Sequence, residues 1–252
     1  MTTMHGKAIQ GSVALVTGAN RGIGRAIVEA LLARGATKVY AGARRPSDLG
    51  TLANDARVVP LTLDVTNDGQ VAEAAAQAPD VTLLVNNAGV VARPLGAPLT
   101  DAVEGARQEM DVNYLGTLRM TAAFAPALAR SGGGTIVNIA SIAGVTGFSP
   151  FATYSASKAA QRSLTQVSRV MLGGQGTQVI GVYPGPVDTD MAKALPWDKA
   201  TPASVATRIL DAVEAGQLEV YPDPMAEGMG AAFEASPSAL ERQVAAMADQ
   251  PA

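Results

Sequence analysis

Apolar runs of strand length alternate with helix-length amphipathic stretches over most of this chain. Val13–Val16 reads as a short buried strand. Ala26–Arg34 follows as a helix, with Ile27, Ala30 and Leu31 on one face and Gly35 as its stop. Val39–Gly42 and Val58–Leu63 read as the second and third strands, and an alanine-rich helix covers 70–77. Val81–Val85 is apolar enough for a strand buried on both faces. A long stretch of helical period, 101–130, carries Pro126 in its last turns and ends at Ser131-Gly132-Gly133-Gly134. Thr135–Ile139 is the fifth strand, 155–172 a helix ending at Gly173-Gly174, and Gln178–Val182 the sixth strand. Thr201-Pro202 opens another helix with a cap and a proline at its first position. Leu218–Tyr221 completes about seven strands. Parallel strands need crossover connections, so this alternation predicts an α/β fold with a doubly wound parallel sheet between two helical layers.

Composition narrows the class. Of 252 residues, 48 % are apolar and 16 % charged, as in packed globular proteins. With 19 basic and 22 acidic side chains the formal net charge is −3, which offers no basic footprint for nucleic acid. The absence of cysteine removes disulfides and thiolate chemistry, and the single histidine, His5, lies in a Met/Thr/Gly-rich start. No metal site is expected. No apolar run reaches the roughly 18 residues of a membrane span, and the start lacks the long apolar stretch of a secretory signal. A cytoplasmic protein is expected. No internal repeat or strong linker is visible, so 1–252 reads as one domain with a flexible tail at 1–10. Pro222–Gly230 comes closest to a linker, ahead of a helical tail at 231–252.

Two stretches carry candidate chemistry. Tyr154 and Lys158 stand four apart on a helix and share one face. A nearby ammonium favours the phenolate, making tyrosine a usable general acid or base, although such a pair alone can equally be a solvated face. Thr17-Gly18-Ala19-Asn20-Arg21-Gly22-Ile23-Gly24 lies between the first strand and the first helix. A glycine-rich turn there lets the backbone approach a phosphate at a helix N-terminus, or is simply a tight turn.

Further residues stand in order behind these two: Asp64 after the third strand, Asn86-Asn87-Ala88-Gly89 after the fourth, and Asn113 in the long helical stretch. Ser141 follows the fifth strand, and Pro184-Gly185 the sixth. Together they resemble the short-chain dehydrogenase/reductase family, in its single-domain Rossmann-fold branch, over roughly residues 10–190. The resemblance implies that Gly18, Asn20, Arg21, Gly22, Ile23 and Gly24 hold the pyrophosphate and adenosine ribose of a dinucleotide. Asp64 and Val65 would meet the adenine, and Asn86, Ala88 and Gly89 would pack on the adenosine ribose and support the central sheet. Pro184, Gly185, Val187 and Thr189 would lie along the nicotinamide. It further implies Tyr154 as general acid for carbonyl reduction and Ser141 as donor to the substrate oxygen. Lys158 would lower the tyrosine pKa and bind the nicotinamide ribose, and Asn113 would hold a relay water. Asp64 and Thr66 can also be read as helix caps, Asn86 and Asn87 as a turn, and Ser141 as a loop cap.

The end of the second strand bears on cofactor choice. It reads Tyr40-Ala41-Gly42-Ala43-Arg44-Arg45, without the acid that binds an NAD ribose. Guanidinium groups suit a 2′-phosphate, so NADP(H) is expected through Arg44, Arg45 and Arg21, with NAD(H) as the alternative. Residues 190–200 are expected to form a substrate lid. Met191, Leu195, Pro196 and Trp197, with Val90, Val91, Pro94, Leu95, Val145, Phe148 and Phe151, suggest an apolar pocket for a ketone, aldehyde or alcohol. A homo-oligomer, dimer or tetramer, is expected through the long helices. A dinucleotide-sensing binding protein is the alternative class, but it has no need of the Asn113, Ser141, Tyr154 and Lys158 set.

Overall fold

The computed structural model describes residues 6–248; His5 and the rest of 1–5 lie outside them. Seven parallel strands form the sheet: β1 (Val13–Thr17), β2 (Lys38–Ala43), β3 (Val58–Thr62), β4 (Leu83–Asn86), β5 (Thr135–Ile139), β6 (Gln178–Val182) and β7 (Glu219–Val220). Their order is β3-β2-β1-β4-β5-β6-β7. The chain therefore reverses its winding between β1 and β4, and a crevice opens beyond their carboxyl ends.

On one face of the sheet lie α1 (Gly22–Ala33) and α6 (Pro202–Ala215), with Ile27, Leu31, Ile209 and Val213 packed against Val16, Val39 and Val85. On the other lie α2 (Asp68–Gln77) and α4 (Gly116–Arg130), with Val71, Met120, Phe124 and Leu128 packed on Leu15, Leu84 and Ile136. Full burial of one such side chain contributes about 1.5–3 kcal/mol, so both faces are firmly anchored. The helix α5 (Ala152–Gly173) follows β5, and α7 (Pro224–Ala235) and α8 (Pro237–Ala248) end the described chain. A third apolar cluster, including Val145, Tyr183, Met229, Leu240 and Val244, ties this end to the body.

Several boundaries differ from the pattern. The first helix starts at Gly22, inside the glycine stretch, and not at Ala26. The run 101–130 is not one regular helix. A 3₁₀ turn at Leu99–Asp101 leads into α3 (Val103–Glu109), then a π-helical segment at Met110–Leu115, then α4. Such widened turns recur at functional sites, and Asn113 sits in this one. Residues 6–10, expected within a loose tail, are docked: Ile9 is 1 % exposed and the Lys7 N–H donates to Val213 O. The stretch read as nearest to a linker holds the chain together instead. Asp223 caps α7 through Ala226 N at 2.9 Å and accepts from Gly185 N at 2.8 Å.

Candidate active site

The glycine stretch is shaped by close approach. Gly18 has φ +64°, and a side chain on Gly24 would begin 2.3 Å from Gly18 O and 2.4 Å from the Asn87 amide nitrogen. Only glycine fits there. The turn is braced from β4: Thr17 Oγ1 accepts from the Asn87 and Ala88 N–H groups, both at 2.9 Å, while Asn87 Nδ2 donates to Thr17 O and Gly18 O. The first turn of α1 has no side-chain cap, so its N–H groups and dipole face the crevice.

That crevice is a cleft of about 870 Å³ over the carboxyl ends of the strands. Gly18, Asn20, Arg21, Gly22 and Ile23 line one end with Arg44, Arg45, Asp64 and Val65. Ala88, Gly89, Pro184, Gly185, Val187 and Thr189 line its middle, and Ser141, Tyr154 and Lys158 its other end. Gly24 lies beneath the loop and not in the wall. Asn86 takes the sheet-supporting place and does not line the cleft. It is buried within the sheet, where Nδ2 donates to Asn138 Oδ1 at 2.8 Å across the β4–β5 pair. Asn87 faces the cleft instead, because side chains alternate along an extended strand.

Arg44 is exposed at the adenosine end and makes no ion pair among the described residues, whereas Arg45 pairs with Asp48. Arg21 is not free beside Arg44: it bridges to Asp190 at 2.9 Å, joining the glycine turn to residues 190–200. Asp64 does not cap α2; that is Asn67, through Gln70 N at 3.0 Å. Asp64 Oδ1 instead accepts from Thr66 N and Thr66 Oγ1. Of the expected apolar pocket, Val90, Val91, Phe148, Phe151, Met191, Leu195 and Trp197 line the cleft. Pro94, Leu95, Val145 and Pro196 do not; Val145 packs into the cluster with α7 and α8.

Ser141 caps the short turn Ile142–Gly144, its Oγ accepting from Ala143 N at 3.1 Å. A side chain on Gly144 would meet the Lys158 backbone at 2.6 Å, so this turn lies hard against α5. Tyr154 is partly exposed. Desolvation of its phenol and the charge of Glu109 push its pKa up to about 12, while a hydrogen-bonding contact with Ser141 pulls the other way. Lys158 is 3 % exposed, and burial pushes its pKa down to about 7. Its Nζ donates to Ile139 O and Gln161 Oε1, both at 2.9 Å, and lies 5.7 Å from the Tyr154 ring centroid. Burial thus has the largest influence on the Tyr154 phenol, and the Lys158 ammonium donates to other acceptors.

Asn113, fully buried, does not line the cleft. Its Oδ1 accepts from Val90 N at 2.8 Å, and its Nδ2 donates to Val90 O and Ser157 Oγ. Both amide hydrogens are thus committed to tying the loop after β4 to α5. Gln161, Thr117 and Ser157 are site neighbours that reading the sequence by motif missed. Polar residues at 154, 157, 158, 161 and 165 share one face of α5, and that spacing is the clue to Ser157 and Gln161, whereas Thr117 comes from α4 without such a signal.

The fold and cleft define a class: a doubly wound sheet with a phosphate-type turn at its switch point and a Tyr–Lys–Ser cluster at the far end. Residues 12–200 match the family model described as short chain dehydrogenase. A short chain dehydrogenase of Burkholderia cenocepacia, solved in complex with NADP, is 43 % identical, covering 97 % of this chain and all of its own, with a TM-score of 0.89. The short chain dehydrogenase mpl6 of Monascus purpureus is 36 % identical over 77 % of this chain and 69 % of its own length. The ketoacyl reductase HetN of Nostoc is 31 % identical over 96 % of this chain and 89 % of its own. The chain belongs to the short-chain dehydrogenase/reductase family and is an oxidoreductase of that type. Among the described residues no helix is long and apolar enough to cross a membrane.

Proposed function

We propose that this protein is an NADP(H)-dependent carbonyl reductase or secondary-alcohol dehydrogenase, with Tyr154 as its general acid and base. The observation that carries the reading is the meeting of Ser141, Tyr154 and Lys158 in one cleft with the glycine turn at its other end. The cleft fits a dinucleotide: the space a side chain on Gly24 would fill is shut by backbone, and the uncapped N-terminus of α1 suits a pyrophosphate. Arg44, exposed and without an ion pair among the described residues, suits a 2′-phosphate. The likeness to the NADP-bound Burkholderia protein supports the same choice.

When bound, the nicotinamide supplies the hydride. The chain's own groups handle the proton. Tyr154, kept protonated by its raised pKa, gives its phenolic proton to the carbonyl oxygen as hydride reaches the carbon. Ser141 Oγ accepts from Ala143 N and donates over a long 3.5 Å to Pro184 O; its hydrogen turns from that carbonyl to the substrate oxygen and stabilises the charge developing there. Lys158 stabilises the phenolate left behind with its remaining N–H. Phe148, Phe151, Met191, Leu195 and Trp197 present an apolar surface for the substrate, with residues 190–200 as its lid. The chain acts as one domain. It pairs with a second copy through the outer faces of α4 and α5, where Leu118, Val167, Val170 and Met171 are exposed.

The test is a spectrophotometric screen of ketones, aldehydes and quinones with NADPH and NADH, using wild type, Tyr154→Phe and Arg44→Ala. Tyr154→Phe is expected to lose about 10²–10⁴-fold in kcat, and Arg44→Ala to lose the NADPH preference. Full activity in Tyr154→Phe would remove the acid assignment, and a wild-type preference for NADH the cofactor assignment.

A further inference from the structure

We propose that Gln161 is a positioning residue for Lys158, holding its ammonium charged and oriented through a buried chain of protein hydrogen bonds. The proposal rests on the reading that Lys158 serves proton transfer. The chain runs from Lys158 Nζ to Gln161 Oε1, from Gln161 Nε2 to Thr117 Oγ1, and from Thr117 Oγ1 to Asn113 O, each step 2.9 Å. Its direction is set by chemistry. An ammonium has donors only, so Gln161 must present its oxygen. The amide N–H is then left for Thr117, whose hydroxyl hydrogen passes on to the Asn113 carbonyl. Gln161 and Asn113 are fully buried and Thr117 is 3 % exposed, so no step has water as a ready substitute.

The cost of this arrangement argues for a purpose. A residue three positions from Lys158, on the inner face of α5, would serve packing more cheaply as leucine or methionine, since a buried amide must find every partner. Here each end of the Gln161 amide has one. A buried lysine loses its charge readily, and an acceptor on the ammonium favours the charged form. Ile139 O and Gln161 Oε1 accept two of the three N–H groups and so aim the third. Tyr154 lies one turn away on α5, and Glu109 acts on Tyr154 from the end of α3. Neither β5 nor the loop 87–90 carries an ionisable side chain, and α4 offers Thr117 and Thr121. Gln161 is therefore the side-chain acceptor that sustains the charge.

The experiment is a pH titration of [13Cε]-lysine by NMR on the protein without cofactor or substrate, with Lys158→Met assigning the resonance among Lys7, Lys38, Lys193 and Lys199. It compares wild type, Gln161→Met, which keeps the length and removes the acceptor, and Gln161→Glu, which restores one. The Lys158 midpoint is expected to fall by a pH unit or more in Gln161→Met, a tenfold loss of proton affinity, and to rise above wild type in Gln161→Glu. With the best substrate from the screen, kcat falls about tenfold in Gln161→Met while KM for NADPH changes little, and Gln161→Glu recovers part of it. An unchanged Lys158 midpoint in folded Gln161→Met overturns the proposal. If that variant does not fold, an unchanged midpoint in Gln161→Glu does so. A screen that finds no reductase activity leaves this titration readable, so the two readings fail separately.

Discussion

The helices α1 and α5 are both amphipathic, and they face opposite ways. Toward the sheet α1 turns Ala26, Ile27, Val28 and Leu31. The buried residues of α5 are Ser155, Ser157, Lys158, Gln161, Thr165 and Ser168, while Val167, Val170 and Met171 stand exposed. Apolar burial holds the first helix, and its contribution to the cleft comes from backbone: a glycine turn and a set of free N–H groups. The second is held by hydrogen bonds running through Gln161, Thr165 and Asn138 to Asn86. Its contribution comes from ionisable side chains. A backbone site tolerates no added atoms, whereas a side-chain site tolerates no missing partners.

The largest effect is expected at the α1 end. Gly24→Val sets a branched side chain against Gly18 O and the Asn87 amide. It should weaken NADPH binding a hundredfold or more by fluorescence titration, with a fall in Tm. Binding unchanged would mean that the turn is not the cofactor cradle.

A smaller effect, of a different kind, is expected at the α5 end. Burial lowers the folded pKa of Lys158 to about 7 from an unfolded value of 10.5. Between those values the unfolded chain binds the extra proton, so this group's destabilising contribution is full below about pH 7 and fades as pH rises toward 10.5. Lys158→Met should therefore raise Tm more at pH 6 than at pH 9.5, by thermal denaturation. A benefit that grew with pH would contradict the buried charge. The smallest effect on the site itself is expected on the outer face of α5. Val170→Lys should turn a dimer into a monomer by light scattering, because like charges then meet across the pair, and leave the tertiary fold by circular dichroism intact. A wild-type monomer would end the dimer proposal.

The cofactor end was largely legible. Glycines at 18, 22 and 24 between a buried strand and a helix mark a turn of close backbone approach, and the structure brings Gly24 against Gly18 O and Asn87. Ser141, Tyr154 and Lys158 were legible as members of an ordered set, and all three reach the cleft. Asn86 and Asn113 were legible as residues but not as geometry: neither lines the cleft, and each spends its amide on neighbouring elements. Arg21 is legible as a second cation on the side of Arg44, but its pairing with Asp190, 169 positions away, is invisible to local spacing.

Sequence alone determined the alternation of strands and helices, the parallel sheet it requires, and the chemistry available at the glycine turn and the Tyr–Lys pair. Those follow from periodicity and residue type, which are local properties. Only the tertiary structure decided which face of α5 turns inward, because an amphipathic pattern names two faces without saying what lies against either. It likewise decided where the proton on Lys158 is held. That depends on burial and on the Ile139 carbonyl of β5, with Gln161 on the same helix fixed in turn by Thr117 of α4, elements that meet only when the sheet is wound.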